Sequence, residues 1–290
     1  MNKKLRKGLN ILLTAVLAVS LCLLVRHVIH TRESQRANEQ AEKIAGLAQQ
    51  ETVPVQTEPP ETEPVPVETI PAETEPPATE PPKIWVPAPV EEEDAYMEKL
   101  ADTNLAALRE ENPDVVAWLL VPNTLINYPV VQGDNNQYYL EHSWQGDKNI
   151  SGSIFLEATN SADLKDFRSI LYGHSMADST MFGSLHRYAQ QQYWGDYPYI
   201  YLVTDEGVLR YEIYSGYKAK VNSNTYALHL DREADQKAFI QVTLDQSEID
   251  TGIQPAHTDR ILTLSTCVGN AFHRRVVHAR LPMIEVVAEQ

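Results

Sequence analysis

Hydrophobic and polar positions change rhythm along the chain, and each rhythm predicts a different kind of element. The run 8-GLNILLTAVLAVSLCLLV-25 is predominantly apolar for about 18 residues. As a helix rising ~1.5 Å per residue it nearly crosses a ~30 Å hydrocarbon core. Arg26 and His27 can snorkel, so Val28 and Ile29 extend the span. From Glu33 to Gln50 the chain is polar and Ala-rich, with weak helical character. Then Thr-Glu-Pro recurs four times in 57-TEPPETEPVPVETIPAETEPPATEPP-82. Proline removes backbone donors and glutamates repel, so this stretch builds no core and reads as an extended, disordered stalk at ~3.1 Å per residue.

Globular patterning begins near Tyr96. Met97, Leu100, Leu105 and Leu108 fall at helical spacing, and Pro113 ends that stretch. Strands follow at 115–122, 127–131, 153–156 and 169–172, the last stopping at Gly173-His174. In 208-VLRYEIYSGYKAKV-221, Leu209, Tyr211, Ile213, Tyr217, Ala219 and Val221 share one face, the period of a half-buried antiparallel strand. A short helix is expected from Arg232 to about Gln246, then strands at 261–267 and 274–286. Many strands, few helices and no βαβ rhythm predict a mixed or antiparallel barrel with helical insertions. The chain divides into a tail and anchor (1–30), a Glu/Thr/Pro-rich linker (31–95) and a folded domain (96–290).

Charge is unevenly spread over the net −16: about +5 in residues 1–50, −11 in 51–95 and −10 beyond. An acidic folded part without a basic stripe argues against nucleic acid. Lys3, Lys4, Arg6 and Lys7 favour a cytoplasmic N-terminus and an extracellular domain, although Arg26, Arg32 and Arg36 blur the asymmetry. No small-x-small cleavage site follows the apolar run, and Val19-Ser20-Leu21 lacks the small residue that lipoprotein processing at Cys22 needs, so an uncleaved single-pass anchor is favoured.

Of two cysteines, Cys22 lies in the apolar run and Cys267 in the folded part. A disulfide between them would tie the domain to the bilayer, and no zinc-type spacing exists. The unpaired Cys267 ends the strand 261-ILTLSTC-267. It is either a small buried hydrophobe or a nucleophile, and a nucleophile needs a nearby base or cation. Spacing leaves two candidate histidines, His174 directly after a strand and His273 close to Cys267. His142, His186, His229 and His257 sit in polar surroundings. In the last strand Arg275, Val277, Ala279 and Leu281 share a face. The face of Arg274, Val276, His278 and Arg280 reads as the solvated one. A buried-side Arg275 would need an anionic or strongly polar partner, unless it escapes to water at the strand end.

At these residues the chain resembles the sortases, class B in particular. The cysteine motif is 263-TLSTC-267, the histidine motif 172-YGHSMADSTMF-182, and the arginine stretch 275-RVVHARL-281. The segments 116-VAWLLVPNTLINYPVVQ-132 and 138-YYLEHSW-144 are also similar. The resemblance covers about residues 96–286. It implies an eight-stranded sortase-type β-barrel with an N-terminal helix, and a cysteine transpeptidase needing no metal or cofactor. It implies His174 as the site histidine, leaving His273 in a loop, and Arg275 as the site arginine. It further implies that Asn136, Leu140, Tyr226 and Ser265 line a substrate groove, and that Val268 alters contacts beside the cysteine. The implied partners are secreted proteins bearing a C-terminal sorting signal, of Asn-Pro-x-Thr or Pro-x-Thr-Gly type, and a peptidoglycan amine. The competing readings are a pilin polymerase that uses a lysine nucleophile and an inactive wall-binding module.

Overall fold

The computed structural model describes residues 3–47, 83–90, 94–267 and 272–287. Most of the Thr-Glu-Pro stalk, and Val268, therefore lie outside the described residues. In chain order the elements are helix α1 (Lys3–Ile44), strand β1 (Lys83–Pro87), helices α2 (Ala95–Ala101) and α3 (Leu105–Glu111), and strands β2 (Val115–Leu120), β3 (Asn127–Val131), β4 (Ile154–Leu156) and β5 (Arg168–Gly173). Helix α4 (Gln191–Asp196), strands β6 (Tyr199–Thr204) and β7 (Gly207–Lys220), helix α5 (Glu233–Asp245) and strands β8 (Arg260–Cys267), β9 (His273–Leu281) and β10 (Met283–Val287) complete the fold.

Eight strands close a barrel in the order β2-β3-β4-β5-β8-β9-β7-β6. The barrel is mixed, because β3–β4 and β5–β8 pair in parallel while the other pairs are antiparallel. Closure leaves none of these strands with an open edge. Its interior is filled by alternate residues, among them Leu119, Val130, Leu171, Leu202, Ile213, Leu264 and Val277. The short outlying ladder β1–β10 begins just after Pro282, which divides the single strand expected over 274–286. Strand β6 had no counterpart in the pattern reading. Its signal is the β-rich Tyr199–Thr204 leading through Asp205-Glu206 into β7.

The helix expected over 95–114 is broken at Asp102–Asn104 into two short helices, each with its own N-cap. Asp94 accepts from the amides of Tyr96 and Met97, and Asn104 from that of Ala107. Helix α1 runs unbroken as far as Ile44, well into the segment assigned weak helical character. It contains a stretch long and apolar enough to cross a membrane, with a mean hydropathy of 1.9. Its C-terminal end packs on the barrel wall. Ala41 and Ala45 are fully buried with Leu105, Leu108 and Trp118 in a second core outside the barrel.

Strand β7 shifts register between Ile213 and Ser215. Such an irregularity swaps the faces of the residues that follow. Leu209, Tyr211 and Ile213 point into the barrel, whereas Tyr217 and Ala219 join an outer cluster with Val276 and Tyr226. The one continuous face expected for this strand is thus two.

Candidate active site

The barrel's parallel β5–β8 pair builds the site. Gly173 is the register partner of Thr266, so His174 and Cys267 follow at the same end of neighbouring strands. Gly173 faces inward, where an added Cβ would lie 2.5 Å from Ile154 Cδ1 and 2.9 Å from Phe182 Cδ2. Only glycine lets the strand run this close to that ring. Phe182 is fully buried, and its amide donates to the His174 carbonyl at 2.9 Å, closing the loop between them. Met181 beside it donates its amide to Tyr128 Oη at 3.1 Å. The Tyr-Gly-His and Met-Phe pieces of the histidine motif are therefore two ends of one clasp.

His174 Nε2 lies 2.8 Å from the Leu140 carbonyl oxygen. A carbonyl only accepts, so this ring nitrogen carries a proton. Leu140 ends a short 3-10 turn, Tyr138–Leu140. Asn136 precedes that turn. Its Nδ2 donates to Glu157 Oε1 at 2.7 Å, and its Oδ1 accepts from the Ala158 amide. Glu157 is buried and also accepts from Tyr172 Oη at 3.0 Å. Burial, and then the Glu157 charge, push the Tyr172 phenol far above its ordinary range, so it stays a donor.

On the outer face of β8, Ser265 Oγ and Tyr226 Oη lie 2.8 Å apart. A buried polar network continues beneath them. Tyr217 Oη meets Thr225 Oγ1 at 2.9 Å and His278 Nε2 at 3.2 Å, and His278 Nδ1 meets Thr263 Oγ1 at 3.0 Å. Arg168 Nη1 donates to the Thr225 carbonyl at 2.7 Å, and its guanidinium lies over the Phe239 ring. His278 is fully buried, not solvated as the strand pattern suggested. Burial, followed by the Arg168 charge, lowers its pKa to about 3, so it is neutral.

The two arginines part company. Cys267 is the register partner of Arg274, and Thr266 that of Arg275. Arg275 alternates with Val277 and Ala279, which point into the barrel. Its Nη1 reaches Glu248 Oε2 at 2.5 Å, so the anionic partner its face demanded comes from the segment just after α5. Arg274 alternates with Val276 and His278, on the face of Ser265, and its Nη1 donates to the His273 carbonyl at 3.0 Å. His273 is no loop residue, since it opens β9 opposite Lys220. The strand pattern reads that face as solvated, whereas in the structure it carries buried Val276 and His278, opposite Ser265 and Thr263.

A mixed barrel with a histidine and a cysteine leaving one end of a parallel strand pair defines the class of frame. Comparison with known proteins gives the family. Residues 119–282 match the sortase domain. The chain is 32% identical over 161 residues to sortase B of Staphylococcus aureus, and 32% over 165 residues to sortase B of Listeria monocytogenes. Each match covers 56% of this chain and 66% of the relative's length. Among solved structures, the Staphylococcus aureus sortase B–substrate complex superposes with a TM-score of 0.59 at 31% identity, covering 63% of this chain and 85% of that one. Clostridium perfringens sortase B gives 0.58 at 30%, covering 62% and 100%. The chain belongs to the sortase family, and these relatives are of class B.

Proposed function

We propose that the chain is a membrane-anchored class B sortase. It cleaves a C-terminal sorting signal after threonine and joins the new carboxyl end to a peptidoglycan amine. The Cys267 thiolate attacks the carbonyl carbon that follows the threonine. His174, as the imidazolium, gives its proton to the departing amine as the C–N bond breaks, leaving a thioester on Cys267. The incoming amine then attacks that thioester and loses a proton to His174, and the thiolate leaves. No metal or cofactor enters either step.

The guanidinium that steadies the developing oxyanion is assigned to Arg274 in place of Arg275. Residues directly opposite in a ladder share a face, which recommends the partner of Cys267, and Arg275 is already matched by Glu248. Asn136, Leu140, Tyr226 and Ser265 are proposed to line the groove for the sorting signal, of Asn-Pro-x-Thr or Pro-x-Thr-Gly type. The N-terminus is cytoplasmic, α1 crosses the membrane and the barrel lies outside.

The observation that supports this reading is the shared register. His174 follows the partner of Thr266, and Arg274 is the partner of Cys267, so the backbone brings these three positions to one barrel end. The test incubates the full chain, in lipid nanodiscs, with sorting-signal peptides and a peptidoglycan-type amine, and reads products by mass. Cleavage after threonine with amide formation, a trapped thioacyl adduct, and loss of both in Cys267→Ala are expected. A pilin lysine accepted in preference to the wall amine would favour a pilin polymerase. Absence of any adduct with every peptide would favour an inactive binding module.

A further inference from the structure

The barrel touches α1 much closer to the apolar run than a stalked domain would. Ser34 Oγ donates to Asn149 Oδ1 at 2.8 Å, Trp144 Nε1 to the Ala37 carbonyl at 2.8 Å, and Asn127 Nδ2 to Glu42 Oε1 at 2.9 Å. These contacts climb the helix in order and end where Ala41, Ala45 and Leu47 are buried. Ile29, the last residue of the apolar run, precedes Ser34 by five residues in the same unbroken helix. At ~1.5 Å per residue this is about 7–8 Å, scarcely more than the ~5–7 Å headgroup layer on one side of a bilayer.

The residue next to Asn149 is Ile150, which is 60% exposed, while Asn149 itself is buried. Two anchors hold Asn149 in place besides Ser34: its Oδ1 also accepts from the Ser151 amide, and its amide donates to the Glu141 carbonyl. Exposed Arg26, Arg32, Arg36 and Lys148 stand on these segments with exposed Glu33, Glu39, Glu141 and Asp147, a mixed polar rim around Ile150. The connection 48–82 joins two points that are both held on the domain, buried Leu47 and β1 on the β10 ladder. It therefore does not set the distance between barrel and membrane.

We propose that α1 clamps the barrel directly onto the bilayer, with Ile150 and its loop seated among the lipid headgroups. The inference rests on the membrane-span reading of α1. It makes the site membrane-proximal, because the same loop region carries Leu140, whose carbonyl accepts from His174.

The test uses the full chain in vesicles of phosphatidylcholine and phosphatidylglycerol, on a Cys22→Ser, Cys267→Ala background. Ile150→Cys carrying an environment-sensitive fluorophore should lose most of its emission to lipids with a nitroxide headgroup. Ser34→Cys with Asn149→Cys should cross-link under mild oxidation. Protein that does not float with the vesicles refutes the span and the proposal with it. Protein that floats, yet shows an unquenched probe, keeps the span and overturns the clamp. A shielded but unquenched probe would mean that a second protein copy covers Ile150, which also overturns it. If the paired cysteines perturb the loop, the quenching result alone decides.

Discussion

Arg275 Nη1 sits 2.5 Å from Glu248 Oε2, with only 13% of the arginine side chain exposed. Its neighbour Arg274 is the residue opposite Cys267. Adjacent positions on a strand face opposite ways, so the Arg275 guanidinium is tied to Glu248 on the barrel-core face while Arg274 lies on the other face, that of Val276 and His278.

The two arginines should therefore fail differently. Arg274→Ala is expected to lower kcat/KM for a sorting-signal peptide by about 10²–10³, the usual loss for one oxyanion donor. Arg274→Lys should recover little of it, because a point charge does not reproduce a planar fork. Arg275→Ala should leave kcat nearly unchanged and cost about 1 kcal/mol of stability or less, since Glu248 is substantially exposed. Steady-state kinetics with urea unfolding of the three variants measures both effects, and the reverse ranking would restore Arg275.

Gly173→Ala should act on His174 without touching it. Its methyl would press on Ile154 and the Phe182 ring. Overpacking of this kind costs about 1–3 kcal/mol. The strand must shift to make room, so kcat should fall alongside Tm. A normal Tm and kcat would show that the clasp between Gly173 and Phe182 does not position the histidine.

His278 makes stability fall in acid. Its folded pKa is about 3, against 6.5 when unfolded. Between those values the unfolded chain binds the extra proton, so stability rises with pH and is lost as pH drops below about 6.5. The loss is up to about 1.4 kcal/mol per pH unit from this group. His278→Phe should flatten that slope in urea unfolding measured from pH 4 to 7. An unchanged slope would assign the acid sensitivity elsewhere.

Asp94 ties the outer helices to the barrel. Its carboxylate caps α2 and also accepts from Tyr201 Oη at 2.5 Å and Arg210 Nη1 at 3.1 Å. Asp94→Ala removes a cap worth about 1 kcal/mol and strips the Tyr201 hydroxyl of its partner, for a further ~1–2 kcal/mol. Thermal unfolding should show the loss, while kcat at low temperature stays near the parent value because the carboxylate belongs to no part of the site.

Much of this was legible in residues close together in the chain. The succession of short strands with few helices and no βαβ rhythm foretold the barrel, and β3 lies where its pattern placed it. The cysteine and histidine motifs were readable because each is local: a strand end in one case, a strand end and its return in the other. Which of Arg274 and Arg275 lies opposite Cys267 was not. Both faces of β9 are buried in mid-strand, by the barrel core on one side and by the layer containing Tyr226, Phe239 and Tyr217 on the other. An alternation read as inside versus solvent then has no outside to calibrate it. The irregularity in β7 hid the same fact one strand away.

By itself the sequence determined most of the barrel strands (though not β6), a membrane-length helix, and where the cysteine of the folded part stands. Those follow from residue periodicity, proline placement and side-chain chemistry, all of which act over a few residues. Tertiary structure alone decided which arginine is the cysteine's register partner, that His278 is buried and neutral, and that α1 lies against the barrel. Each depends on contacts between segments tens of residues apart, whose register is set by barrel closure and by the strand irregularity in β7 rather than by any local preference.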